Sequence, residues 1–248
     1  MEKIIDDILA AGEVETPAGE KIPLHSAISR EEGNLLLDLI RNDPSICKTL
    51  EIGCAYGLSS LFIAAGLAGR PAAHHTIIDP FQHTSWKGVG IHNLKRAGFE
   101  AFTLVGKKSE FALPEILENG EEAFDLVFID GFHTFDHTLV DCFYATRLLR
   151  PGGYLVVDDV SMPSIRKVLD YLLLYPCYSF AGATTTTRPM PLKKRTVHSM
   201  LGVLPQKFRD KVFNRSLLHN MESEVQSMVA LKKTAPDMRS WSWFSGNF

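Results

Sequence analysis

Short apolar runs alternate with helical segments along most of the chain, beginning at Thr49. Apolar runs of this length, bounded by turn residues, are typical of buried strands. Strands and helices that take turns along a chain form a parallel sheet wrapped on both faces by right-handed crossovers. The pattern therefore predicts an α/β fold with a doubly wound, mostly parallel sheet.

Seven segments are predicted as strands, so the expected sheet is seven-stranded. They are TLEIG, HHTIIDP, AFTLVG, FDLVFID, YLVVDDV, CYSFAGA and SMVALKKT. The helices predicted between them are LSSLFIAAGLAG, WKGVGIHNLKRAG, SEFALPEILENG, TFDHTLVDCFYATRLL and PSIRKVLDYLLL. RPGG, which precedes YLVVDDV, is predicted as a turn.

Residues 1–46 contain no strand-like run and are predicted as an N-terminal helical cap on a domain of residues 47–248. One helical pattern lies near Ile4 to Leu9. The second begins at Ser29 and continues to Ile40, and Glu32 stands three residues after Ser29, which is a capping-box start.

The alternation stops between residues 184 and 223, ahead of the last predicted strand. This segment is helical at best, and an insertion there would project beside the strand ends where ligands bind. We expect a lid or substrate-specificity element, with an oligomer contact or a surface helix as the alternatives. Eight basic residues precede its first glutamate: Arg188, Lys193, Lys194, Arg195, Lys207, Arg209, Lys211 and Arg215.

Length and composition disfavour several classes of protein, namely nucleic-acid-binding, membrane and secreted proteins. A chain of 248 residues fits one large α/β domain, and its net charge of -3 gives no bulk reason to expect nucleic-acid or membrane binding. No stretch reaches the ~20 apolar residues of a membrane helix, and the acidic N-terminus is unlike a secretory signal. The cysteines form no CxxC pair and are expected as free thiols in the cytoplasm. They are Cys47, Cys54, Cys142 and Cys177.

A glycine-rich turn follows the first strand of the alternation, where a doubly wound sheet binds its ligand. The turn runs from Glu51 through Gly53 to Gly57 and lacks the GxGxxG spacing of a dinucleotide site. The next strand ends in Asp79, an acceptor placed where a ribose diol would need one. Four residues just after it are candidate pocket walls, although packing explains the two aromatic ones equally well: Phe81, Gln82, His83 and Trp86.

Three carboxylates end the fourth and fifth predicted strands, namely Asp130, Asp158 and Asp159. The ends of neighbouring strands lie about 5 Å apart, so these side chains converge. Like charges at that distance raise one another's pKa, so the arrangement suggests a bound divalent metal or a shared proton. Oxygen ligands favour Mg²⁺, with Mn²⁺ or Ca²⁺ as alternatives. The other reading is that Asp158 caps a helix or binds loop backbone.

His133 follows Asp130 by three residues, at the start of the helix that leaves this edge. A neutral imidazole there can take a proton from a substrate hydroxyl, whereas a lone histidine is more often structural. His137 would complete an HxxxH pair with His133, but packing explains it better.

These motifs together resemble one family. LEIGCAYGLSS, TIIDPF, FDLVFIDGFHTFDHTLVD, LLRPGGYLVVDD and MVALKKTAPDMRSW are similar to class I S-adenosylmethionine (SAM)-dependent methyltransferases of the small-molecule O-methyltransferase type. The resemblance implies a Rossmann-like methyltransferase fold, with the glycine turn around the methionine of SAM, Asp79 at the ribose and Ser109 near the adenine. The cofactor residues that it implies are Glu51, Gly53, Ala55, Tyr56, Gly57, Ser59, Asp79, Ser109 and Asp130.

The resemblance also implies the catalytic groups. Metal-dependent relatives take ligands from the same two strand ends, which implies Asp130, Asp158 and Asp159 as ligands of Mg²⁺. An Asp at position 159 resembles the macrolide- and sugar-methylating relatives, since catechol-type enzymes have Asn there. His133 is the implied base, beside Asp130.

We therefore expect an enzyme that transfers a methyl group from SAM to a hydroxyl of a sugar, polyketide or other natural product, with Mg²⁺ assistance. The alternatives are a metal-independent methyltransferase with His133 as base and a non-catalytic SAM-binding protein, then an NAD-dependent oxidoreductase. Nucleic-acid methylation is disfavoured because no NPPY-type motif is present. The expected partner is a small-molecule substrate, and a homo-oligomer remains open.

Overall fold

The predicted strands form one sheet in the computed structural model, which describes residues 1–119, 124–187 and 224–245. The helices are α1 (Glu2–Ala11), α2 (Arg30–Asn42), α3 (Leu58–Leu67), α4 (Val89–Arg96), α5 (Ser109–Glu118), α6 (Phe135–Leu148) and α7 (Pro163–Leu172). The strands are β1 (Glu13–Glu15), β2 (Lys21–Pro23), β3 (Lys48–Ile52), β4 (His74–Ile78), β5 (Phe102–Val105), β6 (Phe124–Ile129), β7 (Leu149–Val157), β8 (Tyr178–Thr187) and β9 (Glu224–Lys233).

The main sheet has seven strands in the order β5-β4-β3-β6-β7-β9-β8. Strands β3 to β7 pair in parallel, while β9 is antiparallel to both β7 and β8. The predicted doubly wound, mostly parallel, seven-stranded sheet is confirmed. Strand order reverses between β3 and β6, so a ligand crevice is expected at their carboxyl ends.

Helices cover both faces of the sheet, and each face has its own core. One core joins Leu36 of α2 to Leu61 of α3, and the other joins Leu113 of α5 to Ile165 of α7. Every residue of α3 is buried, which explains why its sequence is apolar on all sides. None of the described helices is long and apolar enough to cross a membrane.

The N-terminal segment combines the two predicted helices with a hairpin that was not predicted. The capping box of α2 is confirmed, since Ser29 Oγ accepts from Glu32 N at 3.2 Å and Ser29 N donates to Glu32 Oε2 at 2.7 Å. The expectation of no strand was wrong because β1 and β2 form an antiparallel pair. Strands of three residues are too short to display an alternating pattern.

Three predicted boundaries were also wrong. RPGG lies inside β7 rather than in a turn before it, and α4 begins at Val89 rather than at Trp86. Strand β8 continues to Thr187 because its threonines pair with β9, so the predicted insertion cannot begin at Thr184. The rest of that segment, residues 188–223, lies outside the described residues, and the predicted lid is therefore not described.

A buried carboxyl lies beneath the site edge of the sheet. Asp141 of α6 is 1% exposed, and its Oδ1 has no hydrogen-bond partner among the described residues. Burial raises the pKa of Asp141 to about 6, although a hydrogen bond with Ser109 acts in the opposite direction. The folded protein therefore keeps this proton at a pH where the unfolded chain has lost it.

This raised pKa makes stability depend on pH with a defined sign. The free energy of unfolding should decrease as pH rises from about 4 to about 6, because the unfolded chain ionises first. Asp141→Asn cannot ionise, so its free energy of unfolding should exceed that of the wild type by about 3 kcal/mol at pH 8, with little difference at pH 4. Urea unfolding at the two pH values measures this, with the exposed Asp38→Asn as control. An equal difference at both pH values would contradict the assignment.

Candidate active site

A cavity of about 690 Å³ opens at the carboxyl ends of the strands, where strand order reverses. That volume is within the range of small-molecule and cofactor sites. The lining contains most of the predicted site residues, namely Gly53, Ala55, Asp79, Ser109, Asp130, His133, Asp158 and Asp159. The fold thus brings residues from four strand ends and one helix start to a single cavity.

The glycine turn approaches its neighbours so closely that side chains are excluded. Gly53 has φ 88°, and a Cβ there would overlap the carbonyl oxygen of Asp130. Gly57 has φ 80°, and a Cβ there would lie 2.7 Å from the Cα of Gly90. Only glycine satisfies both the left-handed backbone and the lack of space. The turn therefore packs against the loop after β6 on one side and α4 on the other.

Asp79 anchors this turn as well as lining the cavity. Its Oδ2 accepts from the backbone N–H groups of Cys54 at 3.2 Å and Ala55 at 3.0 Å. Its Oδ1 accepts from Phe81 N at 2.8 Å. Ala55 has φ 46°, which is uncommon for a residue with a side chain, so the anchor holds a strained backbone. The sequence predicted Asp79 only as an acceptor for a ribose.

Four predicted cofactor residues do not line the cavity: Glu51, Tyr56, Gly57 and Ser59. The carboxylate of Glu51 is fully buried in the core, where it accepts hydrogen bonds from Ser60 and from His75 Nε2, the latter at 3.0 Å. The hydroxyl of Tyr56 lies 2.8 Å from His25 Nε2 instead. The predicted contact of these four residues with a cofactor stays a prediction.

His133 lies between two carboxylates in the lining of the cavity. Its Nε2 is 3.0 Å from Asp130 Oδ1 and 3.1 Å from Asp159 Oδ2. The hydrogen bond with Asp130 raises the pKa of His133 above its ordinary value, against the effect of burial, and the charges of both carboxylates add to the rise. Burial in turn raises the pKa of Asp130, although the hydrogen bond with His133 opposes this.

Asp130, His133 and Asp159 also form a group with donor atoms within 4.8 Å of one another, close enough to hold one metal ion. The predicted metal set contained Asp158 in place of His133. Asp158 lines the same cavity, but burial, together with the charges of Asp130 and Glu32, raises its pKa to about 9. Its surroundings thus favour the neutral carboxyl, and Asp158 lies outside the three-residue group.

The N-terminal segment supplies cavity residues that the sequence analysis missed. Ser26, Ala27 and Ile28 line the cavity, and so does Glu32. Glu32 was identified only for its place in the capping box, and no local signal shows that α2 begins at the cavity. The predicted walls Phe81 and Trp86 are confirmed as lining residues, whereas Gln82 is buried behind the lining and His83 is exposed outside it.

The central part of the chain is similar to known methyltransferase sequences. Residues 50–160 match the family model described as a methyltransferase domain. Catechol O-methyltransferase B of Danio rerio is 32% identical over 146 residues, which are 57% of this chain and 53% of that protein. The chain thus spans about half the length of this curated relative.

Solved structures share the architecture over nearly the whole chain. An O-methyltransferase from Bacillus cereus in complex with SAH is similar with a TM-score of 0.62 at 18% identity, covering 93% of this chain and 91% of that one. The O-methyltransferase TomG from Streptomyces achromogenes in complex with SAM is similar with a TM-score of 0.58 at 22% identity, covering 84% and 82%. At these identities the likeness shows the fold. Residues 50–160 thus match a methyltransferase domain, and the chain has the fold of these solved structures.

Proposed function

We propose that the protein is an O-methyltransferase that uses SAM to methylate a hydroxyl of a small molecule. The observation that carries the proposal is the placement of His133, held by Asp130 and Asp159, in the same cavity as the glycine turn. A base within reach of a bound cofactor is what methyl transfer to a hydroxyl requires. The likeness to O-methyltransferases supports this chemistry.

In this reaction the methyl group leaves the sulfonium sulfur as the acceptor oxygen attacks in line, and the hydroxyl loses its proton. When Nε2 of neutral His133 carries the hydrogen that faces Asp130 and Asp159, Nδ1 carries the lone pair that takes this proton. The two carboxylates then stabilise the imidazolium that forms. The remaining work of the chain is to align donor and acceptor in the cavity.

We also propose that a divalent cation assists, held by Asp130 and Asp159 with Asp158 or His133 as a further ligand. The donor set fits, since carboxylates from two strand ends converge within 4.8 Å and their mutual repulsion favours a cation. When bound, Mg²⁺ would hold the acceptor oxygen and lower the pKa of its hydroxyl. His133 contacts the same two carboxylates and could act as base without a metal, so a metal-independent enzyme is the second candidate.

For the acceptor we propose a chemical class, namely a small molecule with a hydroxyl group. The cavity is large enough for a cofactor and a small acceptor such as a sugar, polyketide or other natural product. A non-catalytic SAM-binding protein would not need His133 between two carboxylates, and the glycine turn does not favour NAD. The four cysteines are free thiols in the structure, which agrees with the proposed cytoplasmic location.

The proposed base can be tested by removing its imidazole. His133→Ala should lower kcat by roughly 10²-fold or more, with little change in the dissociation constant of SAM, because proton removal is lost and the cofactor turn is intact. Calorimetry with SAM and a methyl-transfer assay measure the two quantities. His74→Ala is the matched control. His74 is the first residue of β4, at the end of the strand away from the cavity, so this variant should keep wild-type kcat. If kcat is the same in the wild type and in His133→Ala, His133 is not the base and has only a structural role.

The metal proposal can be tested through the titration of His133. In metal-free protein its pKa should exceed the ordinary value of about 6.5, because Asp130 and Asp159 favour the imidazolium. Saturating Mg²⁺ should lower that pKa, since a second cation at the same carboxylates opposes the first. The ring proton of His133, assigned by its absence in His133→Ala, reports the midpoint by NMR. If Mg²⁺ does not change the titration midpoint of His133, the proposed metal site is wrong.

Activity should follow the same titration. Because the base must be neutral, kcat should decrease on the acid side with a midpoint above about 6.5 in the absence of metal. Asp159→Asn removes one of the charges that raise the pKa of His133, so it should move this midpoint toward lower pH. A pH series of kcat for the two proteins, with the acceptor saturating, measures the displacement. A midpoint that moves upward in Asp159→Asn would contradict the assignment of the base.

A further inference from the structure

Two consecutive carbonyl groups of the glycine turn are held by buried side-chain amides. Gln82 Nε2 donates to the carbonyl oxygen of Ala55 at 2.7 Å, and Asn93 Nδ2 donates to that of Tyr56 at 3.0 Å. Both amides are 0% exposed, and neither lines the cavity. They come from the loop after β4 and from α4, so two separate elements contact the turn from behind.

The orientation of each amide follows from its neighbours. Gln82 Nε2 donates a second hydrogen bond to Asp79 Oδ2 at 2.9 Å, so both groups that face it are acceptors and only the NH₂ end fits. Gln82 Oε1 and Asn93 Oδ1 have no hydrogen-bond partner among the described residues. Leaving a buried acceptor unpaired is unfavourable. The two amides are therefore oriented so that their NH₂ groups bind the carbonyl groups of Ala55 and Tyr56.

The two amides bind a strained part of the backbone, at Ala55 and Tyr56. Ala55 has φ 46°, a region that residues with a Cβ rarely occupy. Gly90 of α4 packs so closely that a Cβ there would lie 2.8 Å from the carbonyl oxygen of Ala55. Asp79 binds the N–H of Ala55 while Gln82 binds its C=O. Both polar groups of the strained residue are thus fixed by buried side chains.

We propose that Gln82 and Asn93 are positioning residues that preset the glycine turn for SAM before the cofactor binds. This rests on the proposed function, in which the turn from Gly53 to Gly57 receives the cofactor. A turn that is ordered in advance does not have to be ordered at the cost of binding free energy. Loss of either amide therefore weakens SAM binding without removing any group that touches the cofactor.

The first test is calorimetric titration of SAM into Gln82→Met and Asn93→Leu. Each substitution keeps the approximate volume and removes the donor, and we expect the dissociation constant to rise about tenfold. Gln226→Met is the matched control because it removes a hydrogen bond between a partly buried glutamine and Arg166, outside the cavity lining. The control should bind SAM as the wild type does. Binding within twofold of wild type in both test variants, or an equal loss in the control, would overturn the proposal.

The second test is a spectroscopic signature that a general loss of stability would not produce. In the wild type without SAM, the backbone amide signals of Gly53, Ala55 and Gly57 should each be a single sharp resonance. In Gln82→Met they should broaden or multiply and become single only when SAM is added. Multiple signals in the free wild type would overturn the proposal.

If a variant does not fold, the proposal can still be tested on the wild-type protein. The side-chain NH₂ groups of Gln82 and Asn93 should exchange slowly with solvent in the absence of SAM, and rapid exchange would overturn the proposal. These signals do not require SAM binding. A wild type that shows them and fails to bind SAM would contradict the proposed function, whereas one that binds SAM and lacks them would contradict only the role of the two amides.

Discussion

The close approach of Gly53 to the carbonyl group of Asp130 is the constraint on which the site depends. It joins the carboxyl ends of β3 and β6, the neighbouring strands between which strand order reverses. Because no side chain fits between them, the glycine turn and the loop that carries His133 lie in contact. A cofactor bound at the turn would therefore be within reach of the proposed base.

The titratable groups in the cavity lie close enough to shift one another's pKa values. Three carboxyl groups and one imidazole meet at the ends of β6 and β7, and burial makes several negative charges there unfavourable. Burial raises the pKa of Asp158 to about 9, and the hydrogen bond with Asp130, together with the charge of Asp159, raises the pKa of His133. A divalent metal and an imidazolium satisfy the same repulsion, which is why the metal and the base are coupled in this site.

Support for the glycine turn comes from a second layer of buried polar groups. Asp79, Gln82 and Asn93 bind its backbone, and Glu51 lies beneath it in contact with His75. Such groups are costly to bury unless they are hydrogen-bonded, so their presence behind a cavity indicates that the backbone shape they hold is needed. The N-terminal segment adds a further wall, since Glu32 in the first turn of α2 lines the cavity.

The sequence by itself determined the sheet, most of its helices and the strand ends that carry the site. These follow from apolar periodicity and from local signals such as the capping box at Ser29, which depend on neighbours within a few positions. Strand ends could be placed for the same reason, so Asp79, Asp130 and Asp159 were assigned to the cavity from their positions alone.

Only the tertiary structure decided what each of these side chains contacts. The hairpin of β1 and β2 and the continuation of β8 to Thr187 depend on pairing with distant segments, which no local pattern records. The burial of Glu51 against His75, the arrival of Glu32 at the cavity and the orientation of Gln82 depend in the same way on elements far apart in the chain. Hydrogen-bond partners and pKa values are set by distances in space, and the sequence specifies these only through the completed fold.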